Sequence, residues 1–364
     1  MSALLSFKAL SKAFFGVPAV AGVTLDVAEG VVLGLIGENG AGKSTLMNML
    51  GGVVPPSGGR MLWQGAPYAP RSPRDAAETG IAFIHQELNL FTNLSIAENL
   101  YIDGFPRRFG LIDRGTMRRR TEEILARLDL ALDPATAVGD LSPGERQLVE
   151  IAKALHNEAR LILFDEPTTS LTPRESERLF ETIALLRSEG RTVIYISHIL
   201  ADVARICDRI AVLRDGRLVD EGAAEGFDVP RMIRSMIGRE LEGLYPARSR
   251  SAGNRPLLEI EGLSQPGVIE DISLTVREGE VVGLFGLMGS GRSELARIVF
   301  GLDPVERGTI RLTGQDLTAG PRSRIESGLA FVTEDRREEG LMMAAPIADN
   351  LALAAIRGFG RAGF

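Results

Sequence analysis

Residues 31–45 read Val-Val-Leu-Gly-Leu-Ile-Gly-Glu-Asn-Gly-Ala-Gly-Lys-Ser-Thr, an apolar run followed by a glycine-rich loop that ends in Lys43 and Ser44. The loop fits the pattern G-x-x-x-x-G-K-[ST], and its surroundings predict a strand before it and a helix after it. In that setting backbone N–H groups surround phosphate oxygens, the lysine reaches the β- and γ-phosphates, and the serine hydroxyl can bind Mg²⁺. We therefore predict a site for ATP and Mg²⁺ formed by Gly37, Glu38, Asn39, Gly40, Ala41, Gly42, Lys43, Ser44 and Thr45.

Short apolar runs alternate with helical patterns after this loop. Three runs are apolar almost throughout, as expected of strands that a parallel sheet buries on both faces: residues 31–36, 161–164 and 192–197. Helical patterns separate them at residues 116–130, 145–155 and 175–187. The alternation predicts an α/β fold with a mainly parallel sheet, here of the P-loop NTPase type.

Two of the predicted strands end in polar side chains. Asp165 and Glu166 follow one apolar run, and His198 follows another. Asp165 is placed to hold Mg²⁺ through water, and Glu166 is placed to orient or deprotonate an attacking water. We expect His198 to contact the γ-phosphate, whereas His85 and His156 have no comparable setting and are interpreted as structural or merely exposed.

Two further segments carry polar groups suited to a nucleotide site. Gln86 has an amide oxygen that can bind Mg²⁺ or position water. The segment at residues 141–147, Leu-Ser-Pro-Gly-Glu-Arg-Gln, places Ser142 and Gly144 directly before a predicted helix, where an anion can bind. Taken alone, that segment is more typical of a simple helix N-cap.

The chain contains two copies of one pattern. Three pairs of segments match: residues 27–37 with 276–286, 80–84 with 328–332, and 96–100 with 347–351. The spacing far exceeds the 20–50 residues of a solenoid repeat, so it indicates a duplicated domain. We predict a complete first domain at residues 1–243, an exposed linker at 244–256, and a second domain at 257–364 that lacks most of the β/α units of the first.

Composition narrows the classes of partner. The net charge is −7, and this argues against nucleic acid as the main partner. The single cysteine, Cys207, cannot form an internal disulfide and fits a reducing compartment.

The first residues lack a secretory pattern, and no apolar run reaches the ~20 residues of a membrane helix. A role at a membrane would therefore be that of a docked subunit.

The order of these motifs resembles the nucleotide-binding subunit of ATP-binding-cassette (ABC) transporters. In particular, the chain is similar to the tandem subunit of bacterial sugar importers of the ribose, galactose and xylose type. The segments that carry this resemblance are residues 85–90 (His-Gln-Glu-Leu-Asn-Leu), 139–142 (Gly-Asp-Leu-Ser), 195–198 (Tyr-Ile-Ser-His) and, in the second copy, 286–292 (Gly-Leu-Met-Gly-Ser-Gly-Arg).

The resemblance implies further features of the first domain. It implies an antiparallel β subdomain, a helical insertion, and head-to-tail pairing of two cassettes with each ATP between them. Phe14 falls where an aromatic ring stacks on adenine, and Phe15 is the adjacent alternative. Pro143 and Glu145 depart from the common Leu-Ser-Gly-Gly-Gln sequence, and Thr172 stands where aspartate is common.

Two differences between the copies bear on the nucleotide site. Arg292 replaces Lys43, and Glu334 stands where Gln86 stands. Because arginine cannot reproduce the compact ammonium group among phosphates, we expect the second site to be weak or inactive. The residues predicted to form it are Gly286, Gly289, Gly291, Arg292 and Ser293.

These expectations describe a peripheral ATPase subunit at the cytoplasmic face of the inner membrane that powers import of a monosaccharide. It would dock on a permease that receives sugar from a periplasmic or extracellular binding protein, with Glu166, His198 and Lys43 as catalytic residues. The chain alone is expected to hydrolyse ATP slowly unless two copies pair. Two alternatives stay open: a soluble tandem cassette that acts on ribosomes or nucleic acid, and a nucleotide-binding regulator without turnover.

Overall fold

The computed structural model describes residues 3–85, 89–169, 171–238, 253–287, 289–318, 320–333 and 339–353. It divides into two compact units, residues 1–242 and 243–364. No helix within these described ranges is both long enough and apolar enough to cross a bilayer.

The first unit contains twelve named strands and eight α-helices in its described part. The strands are β1 (Ala3–Phe14), β2 (Val17–Ala28), β3 (Val32–Ile36), β4 (Gly58–Trp63), β5 (Ala66–Tyr68), β6 (Ile81–Ile84), β7 (Arg107–Arg108), β8 (Leu111–Ile112), β9 (Leu161–Asp165), β10 (Thr192–Ile196), β11 (Arg209–Arg214) and β12 (Arg217–Ala223). The helices are α1 (Lys43–Leu50), α2 (Pro73–Glu78), α3 (Ile96–Leu100), α4 (Arg114–Arg127), α5 (Pro143–His156), α6 (Pro173–Ser188), α7 (Leu200–Ile206) and α8 (Val229–Ile237).

A six-stranded sheet of order β12-β11-β3-β10-β9-β6 forms the centre of this unit. All its pairings are parallel except that of β12 with β11. Every residue of β3 and β10 is buried, which agrees with the prediction of strands covered on both faces. Ile196 of β10 pairs with Leu35 of β3 and with Asp165 of β9, so these three strands end together at one edge of the sheet.

Two hydrophobic cores lie on the two faces of this sheet. Val32 and Ile36 of β3 belong to the core formed with the helices α3 to α6, whereas Leu33 and Leu35 belong to the other core. That second core also contains apolar residues of a four-stranded antiparallel sheet of order β2-β1-β4-β5. Side chains of β3 alternate between the two cores because successive residues of a strand point to opposite faces. Strand β3 therefore lies between a helical layer and an antiparallel layer.

The three predicted helices are present as α4, α5 and α6, with shifted ends. Helices α5 and α6 begin two residues earlier than predicted because each has proline at its first position and a capping box before it. Helix α4 ends earlier than predicted, and Asp129 just beyond it has a left-handed φ of 52°.

The second unit repeats the antiparallel layer of the first. Its elements are β13 (Pro256–Gln265), β14 (Ile269–Arg277), α9 (Arg292–Phe300), β15 (Arg307–Leu312), β16 (Gln315–Asp316), α10 (Pro321–Glu326) and α11 (Ile347–Ala352). The strand order β14-β13-β15-β16 matches that of the antiparallel sheet in the first unit.

The parallel sheet is not repeated among the described residues of the second unit. Residues 280–287 match β3 and its flanks in sequence but form no strand, and Val281 and Phe285 are exposed. In the first unit β3 pairs with β10 and β11, and counterparts of those strands do not occur in the described parts of residues 253–353. Among the residues described here, this segment therefore has no neighbouring strand with which its backbone could form a ladder.

Candidate functional site

The glycine-rich loop of the first unit connects β3 to α1, as predicted. A Cβ atom at Gly37 would lie 2.3 Å from the carbonyl oxygen of Leu213, and one at Gly42 would lie 2.5 Å from that of Ala19. Gly42 also has a left-handed φ of 100° at the N-cap of the helix. Glycine is therefore required at both ends of the loop.

Lys43 lies inside the loop that it terminates. Its side chain is buried, and Nζ donates hydrogen bonds to the carbonyl oxygens of Gly37 at 2.7 Å and Glu38 at 3.0 Å. Burial lowers the pKa of Lys43, whereas the nearby carboxylates of Glu166 and Asp165 act in the opposite direction. The ammonium group is thus held at the loop by backbone oxygens and faces two acidic residues from another strand.

The other loop residues form the rim of this site. Ser44 and Thr45 lie in the first turn of α1, where backbone N–H groups have no partner within the helix. Ala41 is buried, whereas Ser44 and three loop residues are exposed: Glu38, Asn39 and Gly40. This arrangement leaves the start of α1 open to an anion.

The ends of β9 and β10 bring Glu166 and His198 together. The imidazole Nδ1 of His198 lies 3.3 Å from Oε2 of Glu166, and the two side chains are 56% and 22% exposed. The backbone N–H of Glu166 donates to the carbonyl oxygen of Ile196 at 2.9 Å, and Glu166 has a left-handed φ of 50°. A non-glycine residue in that conformation is uncommon, and such positions cluster at functional sites. The pair can polarise or accept a proton from a water molecule at the open edge.

Asp165 lies beside this pair at the end of β9. Burial and the adjacent charge of Glu166 raise the pKa of the Asp165 carboxyl, against the weaker opposing effects of His85 and Lys43. A cation bound at this carboxylate would relieve both unfavourable effects. The structure thus brings Lys43, Asp165, Glu166 and His198 to one edge of the parallel sheet.

Ser142 and Gly144 lie at the start of α5, and both have partners within the unit. Ser142 Oγ accepts a hydrogen bond from the backbone N–H of Glu145 at 3.2 Å, and Glu145 Oε2 accepts from that of Ser142 at 2.8 Å. The backbone N–H of Gly144 donates to Oε1 of Glu175 at 3.1 Å. In the first unit by itself, the segment at the start of α5 therefore acts as a helix N-cap. An anion-binding role for it stays a prediction.

Phe14 and Phe15 lie at the turn between β1 and β2, and both rings are accessible. Phe14 is 41% exposed, with Nζ of Lys12 5.2 Å from its ring centroid, and Phe15 is fully exposed with φ of 50°. The choice of Phe14 for stacking on adenine stays a prediction. Gln86 and Glu334 lie outside the described residues.

The second glycine-rich loop keeps the backbone pattern of the first. Gly291 has a left-handed φ of 86° at the N-cap of α9, and Gly289 has a positive φ of 74°. A Cβ at Gly286 would lie 2.4 Å from Oγ of Ser290. Arg292 is exposed where Lys43 is buried, and Ser293 in the first turn of α9 is also exposed.

Asn99 is a buried residue that the motifs did not indicate, and its counterpart in the second unit is Asn350. Asn99 is fully buried; its Oδ1 accepts from the backbone N–H of Phe91 at 2.8 Å, and its Nδ2 donates to the carbonyl oxygens of Phe91 and Ser95, each at 3.0 Å. Asn350 makes the corresponding contacts in the second unit, to Met342 at 2.8 and 3.1 Å. The matched segments Ile-Ala-Glu-Asn-Leu and Ile-Ala-Asp-Asn-Leu were the signal in the sequence.

Glu150 of α5 is a second residue that the motifs did not indicate. Its side chain is 5% exposed and lines a cavity of about 270 Å³ with Phe83, His85 and Asn48. Oε1 accepts from the backbone N–H of Asn89 at 3.0 Å, whereas Oε2 is buried and has no hydrogen-bond partner among the described residues. Burial raises the pKa of Glu150 to about 7. An acidic residue inside the otherwise mostly apolar stretch of residues 148–155 was the available signal.

Known proteins that are similar to this chain include ATP-binding subunits of ABC transporters. The family model described as ABC transporter matches residues 20–169 and 269–355, one segment in each unit. The ribose import ATP-binding protein RbsA 1 of Rubrobacter xylanophilus is 46% identical over 98% of this chain and 71% of its own length. The arabinose import ATP-binding protein AraG of Azospirillum brasilense is 44% identical over 98% of this chain and 69% of its own length. The chain thus spans about 70% of the length of these relatives.

Solved structures show the same fold. An ATP-binding cassette of an ABC transporter in its ADP conformation is 26% identical and superposes with a TM-score of 0.58 over 66% of this chain and all of the other. A dimeric cassette in a post-hydrolysis state, bound to ADP and phosphate, gives a TM-score of 0.53 at 27% identity, over 61% of this chain and all of the other. The first unit has the fold of those cassettes, with a phosphate-binding loop, an acidic strand end and a neighbouring histidine. The family model also matches both units. The chain therefore belongs to the ABC transporter family as an ATP-binding-cassette ATPase.

Proposed function

We propose that this chain is the ATP-hydrolysing subunit of a monosaccharide importer and that it works at the cytoplasmic face of a membrane permease. The proposal for hydrolysis rests on one observation, the contact of Glu166 with His198 at the sheet edge that also holds Lys43. The proposal for sugar import rests on relatives named as ribose and arabinose import ATP-binding proteins, which match 98% of the chain.

Each polar group at the edge has a proposed role. Lys43 binds the β- and γ-phosphates and offsets their charge, Glu166 orients or deprotonates the attacking water, and His198 holds the γ-phosphate in place. The close contact between Glu166 and His198 keeps the carboxylate directed at the place where water would attack. Most of the catalysis then comes from positioning and charge stabilisation at a site prepared before substrate arrives.

The residues present fit a Mg²⁺ site of the phosphate-assisted kind. No group of three or more His, Cys, Asp or Glu side chains in the described part of the chain could hold a metal by itself. Mg²⁺ commonly takes one or two protein ligands and completes its shell with phosphate oxygens and water, so Asp165 and Ser44 suffice, with Gln86 as a further proposed ligand. When bound, the ion would neutralise charge on the β- and γ-phosphates.

The cavity beside Glu150 is the proposed contact for a cytoplasmic segment of the permease. It combines the apolar ring of Phe83 with the buried Oε2 oxygen of Glu150, which has no donor among the residues that the structure describes. A partner that inserts an apolar side chain and an N–H or ammonium group would satisfy both. The sugar-binding protein outside the membrane would act on this chain only through the permease.

The two units have different proposed roles. The first, proposed to extend over residues 1–243, is a complete cassette, and the second, after a linker at 244–256, carries a site weakened by the exposed Arg292. Pairing of cassettes would bring Ser142 and the N–H of Gly144 to the phosphates of an opposing site, where a phosphate would replace Glu175 as acceptor.

Single-turnover ATP hydrolysis tests the proposed chemistry. With the chain assembled on its permease, Glu166→Gln should retain ATP binding and lose turnover by about 10²- to 10⁴-fold, the usual effect of removing a positioned general base. His198→Ala should do the same, whereas Glu181→Gln, which changes an exposed glutamate on α6, should behave as wild type. Wild-type turnover in either edge variant would remove that residue from the mechanism.

Sugar uptake tests the transport role separately. A strain that lacks this chain should lose uptake of a labelled pentose or hexose, and the wild-type chain should restore it whereas Glu166→Gln should not. Undiminished uptake of every monosaccharide tried would refute sugar import and leave the ATPase assignment standing.

A further inference from the structure

A small hairpin projects from the first unit between α3 and α4. Arg107 pairs with Ile112 and Arg108 with Leu111, and the turn between them consists of Phe109 and Gly110 with φ of 53° and 85°. Two consecutive residues with positive φ are typical of the tight turns that match strand twist. We call residues 106–114 the arginine hairpin.

The base of the arginine hairpin is fixed even though its strands are short. The backbone N–H of Asp113 donates to the carbonyl oxygen of Pro106 at 2.8 Å. The Asp113 side chain caps α4 by accepting from the backbone N–H of Thr116 at 3.0 Å and from its hydroxyl at 2.9 Å. The tip is therefore presented on a defined base and does not depend on its own two-residue strands for stability.

Large apolar side chains cover the tip and contact water. Phe109 is 93% exposed, Leu111 is 76% exposed and Ile112 is 48% exposed. Single exposed apolar residues are common, but three of them within four positions form a patch that gains free energy when a partner covers it.

The same hairpin carries a local excess of positive charge. Three arginines and one aspartate give residues 106–114 a net charge of +2 in a chain whose net charge is −7. Arg107, Arg108 and Arg114 are exposed, and no ion pair is formed by any of them in the part of the chain that the structure describes. The guanidinium group of Arg108 lies 5.5 Å from the centroid of the Phe109 ring, so charge and apolar surface adjoin at the tip.

We propose that the arginine hairpin contacts the surface of an anionic lipid bilayer, with Phe109 and Leu111 at the acyl boundary and the arginines at lipid phosphates. A bilayer surface supplies both chemistries side by side, and exposed aromatic and aliphatic residues flanked by cations are the usual means of interfacial binding. Each arginine near an anionic membrane adds attraction that falls off within a Debye length. The ring of Phe109 is 93% exposed, so it can enter the acyl boundary without a change in the fold.

The placement of this hairpin agrees with that contact. Asp103, three residues before it, lines the cavity that contains Glu150, which is the proposed contact for the permease. The inference relies on the proposed function only for bringing the chain to a membrane. The lipid contact would add a second point of attachment and restrain the helical layer relative to the bilayer.

Co-flotation of the purified chain with vesicles tests the proposal without any partner protein or nucleotide. Vesicles of phosphatidylcholine with about 30% phosphatidylglycerol should bind the chain, vesicles of phosphatidylcholine alone should bind it weakly, and added salt should weaken the anionic binding. Phe109→Ser should reduce binding on the order of tenfold, because the ring leaves the acyl boundary. The double variant Arg107→Gln/Arg108→Gln should reduce it and flatten its salt dependence.

Phe15→Ser is the matched control. Phe15 also precedes a glycine in a tight turn, with φ of 50° and 84° for the two residues, and it is fully exposed, but no arginine flanks it. This variant should bind anionic vesicles as wild type does. Because Phe109 makes little contact with the fold, its loss should leave thermal stability unchanged, and a melting curve verifies this.

Two results would overturn the lipid contact. One is unchanged anionic vesicle binding by Phe109→Ser, and the other is equal binding of the wild-type chain to neutral and anionic vesicles. If Phe109→Ser instead lost permease-stimulated ATP hydrolysis while retaining vesicle binding, the hairpin would be a protein contact. Failure of the sugar-uptake test would leave the vesicle results unaffected, so the two proposals fail separately.

Discussion

Replacing Glu150 by glutamine should make the pH dependence of folding stability visibly flatter. Burial raises the pKa of Glu150 from its ordinary value of 4.5 to about 7. A carboxyl group with a higher pKa in the folded state binds its proton more tightly when folded, so it stabilises the fold fully below about pH 4.5. That contribution is lost as the pH rises through about 7, because the folded protein must then hold a buried charge.

The size of the effect follows from the two pKa values. The difference of about 2.5 pH units, at about 1.4 kcal/mol for each, corresponds to about 3 kcal/mol well above pH 7. Between pH 5 and pH 8 the wild-type chain should lose about 2–3 kcal/mol of unfolding free energy through this residue alone. Glutamine does not titrate, so Glu150→Gln should gain stability relative to wild type by the same amount over that interval.

Urea unfolding followed by tryptophan fluorescence measures this difference. Trp63 is the only tryptophan of the chain and lies in β4, so the signal reports unfolding of the first unit. Glu181→Gln, which alters an exposed glutamate, should follow the wild-type pH dependence and serves as the control. A stability difference between wild type and Glu150→Gln that stays constant from pH 5 to pH 8 would refute the assignment of a titrating buried carboxyl.

Three further predictions concern binding and folding. Lys43→Ala should weaken ATP binding by roughly 10- to 100-fold, since it removes charge-assisted hydrogen bonds to phosphate, and unchanged affinity for a labelled ATP analogue would place the nucleotide elsewhere. Phe14→Ala should cost adenine nucleotides about 1–3 kcal/mol of binding free energy, and an effect of Phe15→Ala alone in the same titration would show that the neighbouring ring stacks instead. Asn99→Ala should destabilise the first unit by roughly 2–4 kcal/mol in Trp63-detected unfolding because it leaves buried backbone groups unpaired. Asn350→Ala, its counterpart in the second unit, should leave that signal unchanged, and equal effects of the two would contradict this account.

Those parts of the fold that repeat or alternate in the sequence could be predicted from it. The apolar runs before Gly37, Asp165 and His198 identified three central strands, because a strand covered on both faces has few polar positions. Their register could not be predicted, since pairing between distant segments leaves no local pattern. The structure supplies it by placing Ile196 opposite both Leu35 and Asp165.

Residues of the candidate site could be predicted where the chemistry requires a particular residue type. They could not be predicted where their role depends on how the helices and strands pack. Lys43 and Glu166 were predicted from sequence motifs whose residue types have a known chemical role. The burial of Glu150, its contact with Asn89 and the resulting pKa depend on how α5 packs, and spacing alone carries no information about that. Asn99 was visible as part of a repeat, but its role in holding a loop needed the contacts themselves.

The two units place a similar glycine-rich loop in different surroundings. Both loops end in a left-handed glycine at the start of a helix, so the local backbone is the same in each. Only in the first is the residue after that glycine buried, as Lys43, and only there do described neighbouring strands bring an acidic pair to the loop. The loop motif by itself sets the geometry for an anion, whereas the in-register ends of β3, β9 and β10 add the groups that can act on water. Restoring lysine at Arg292 should therefore not create hydrolysis in the second unit by itself. If Arg292→Lys gave the chain a second turnover that persisted when Glu166→Gln had silenced the first site, the requirement for the neighbouring strands would be wrong.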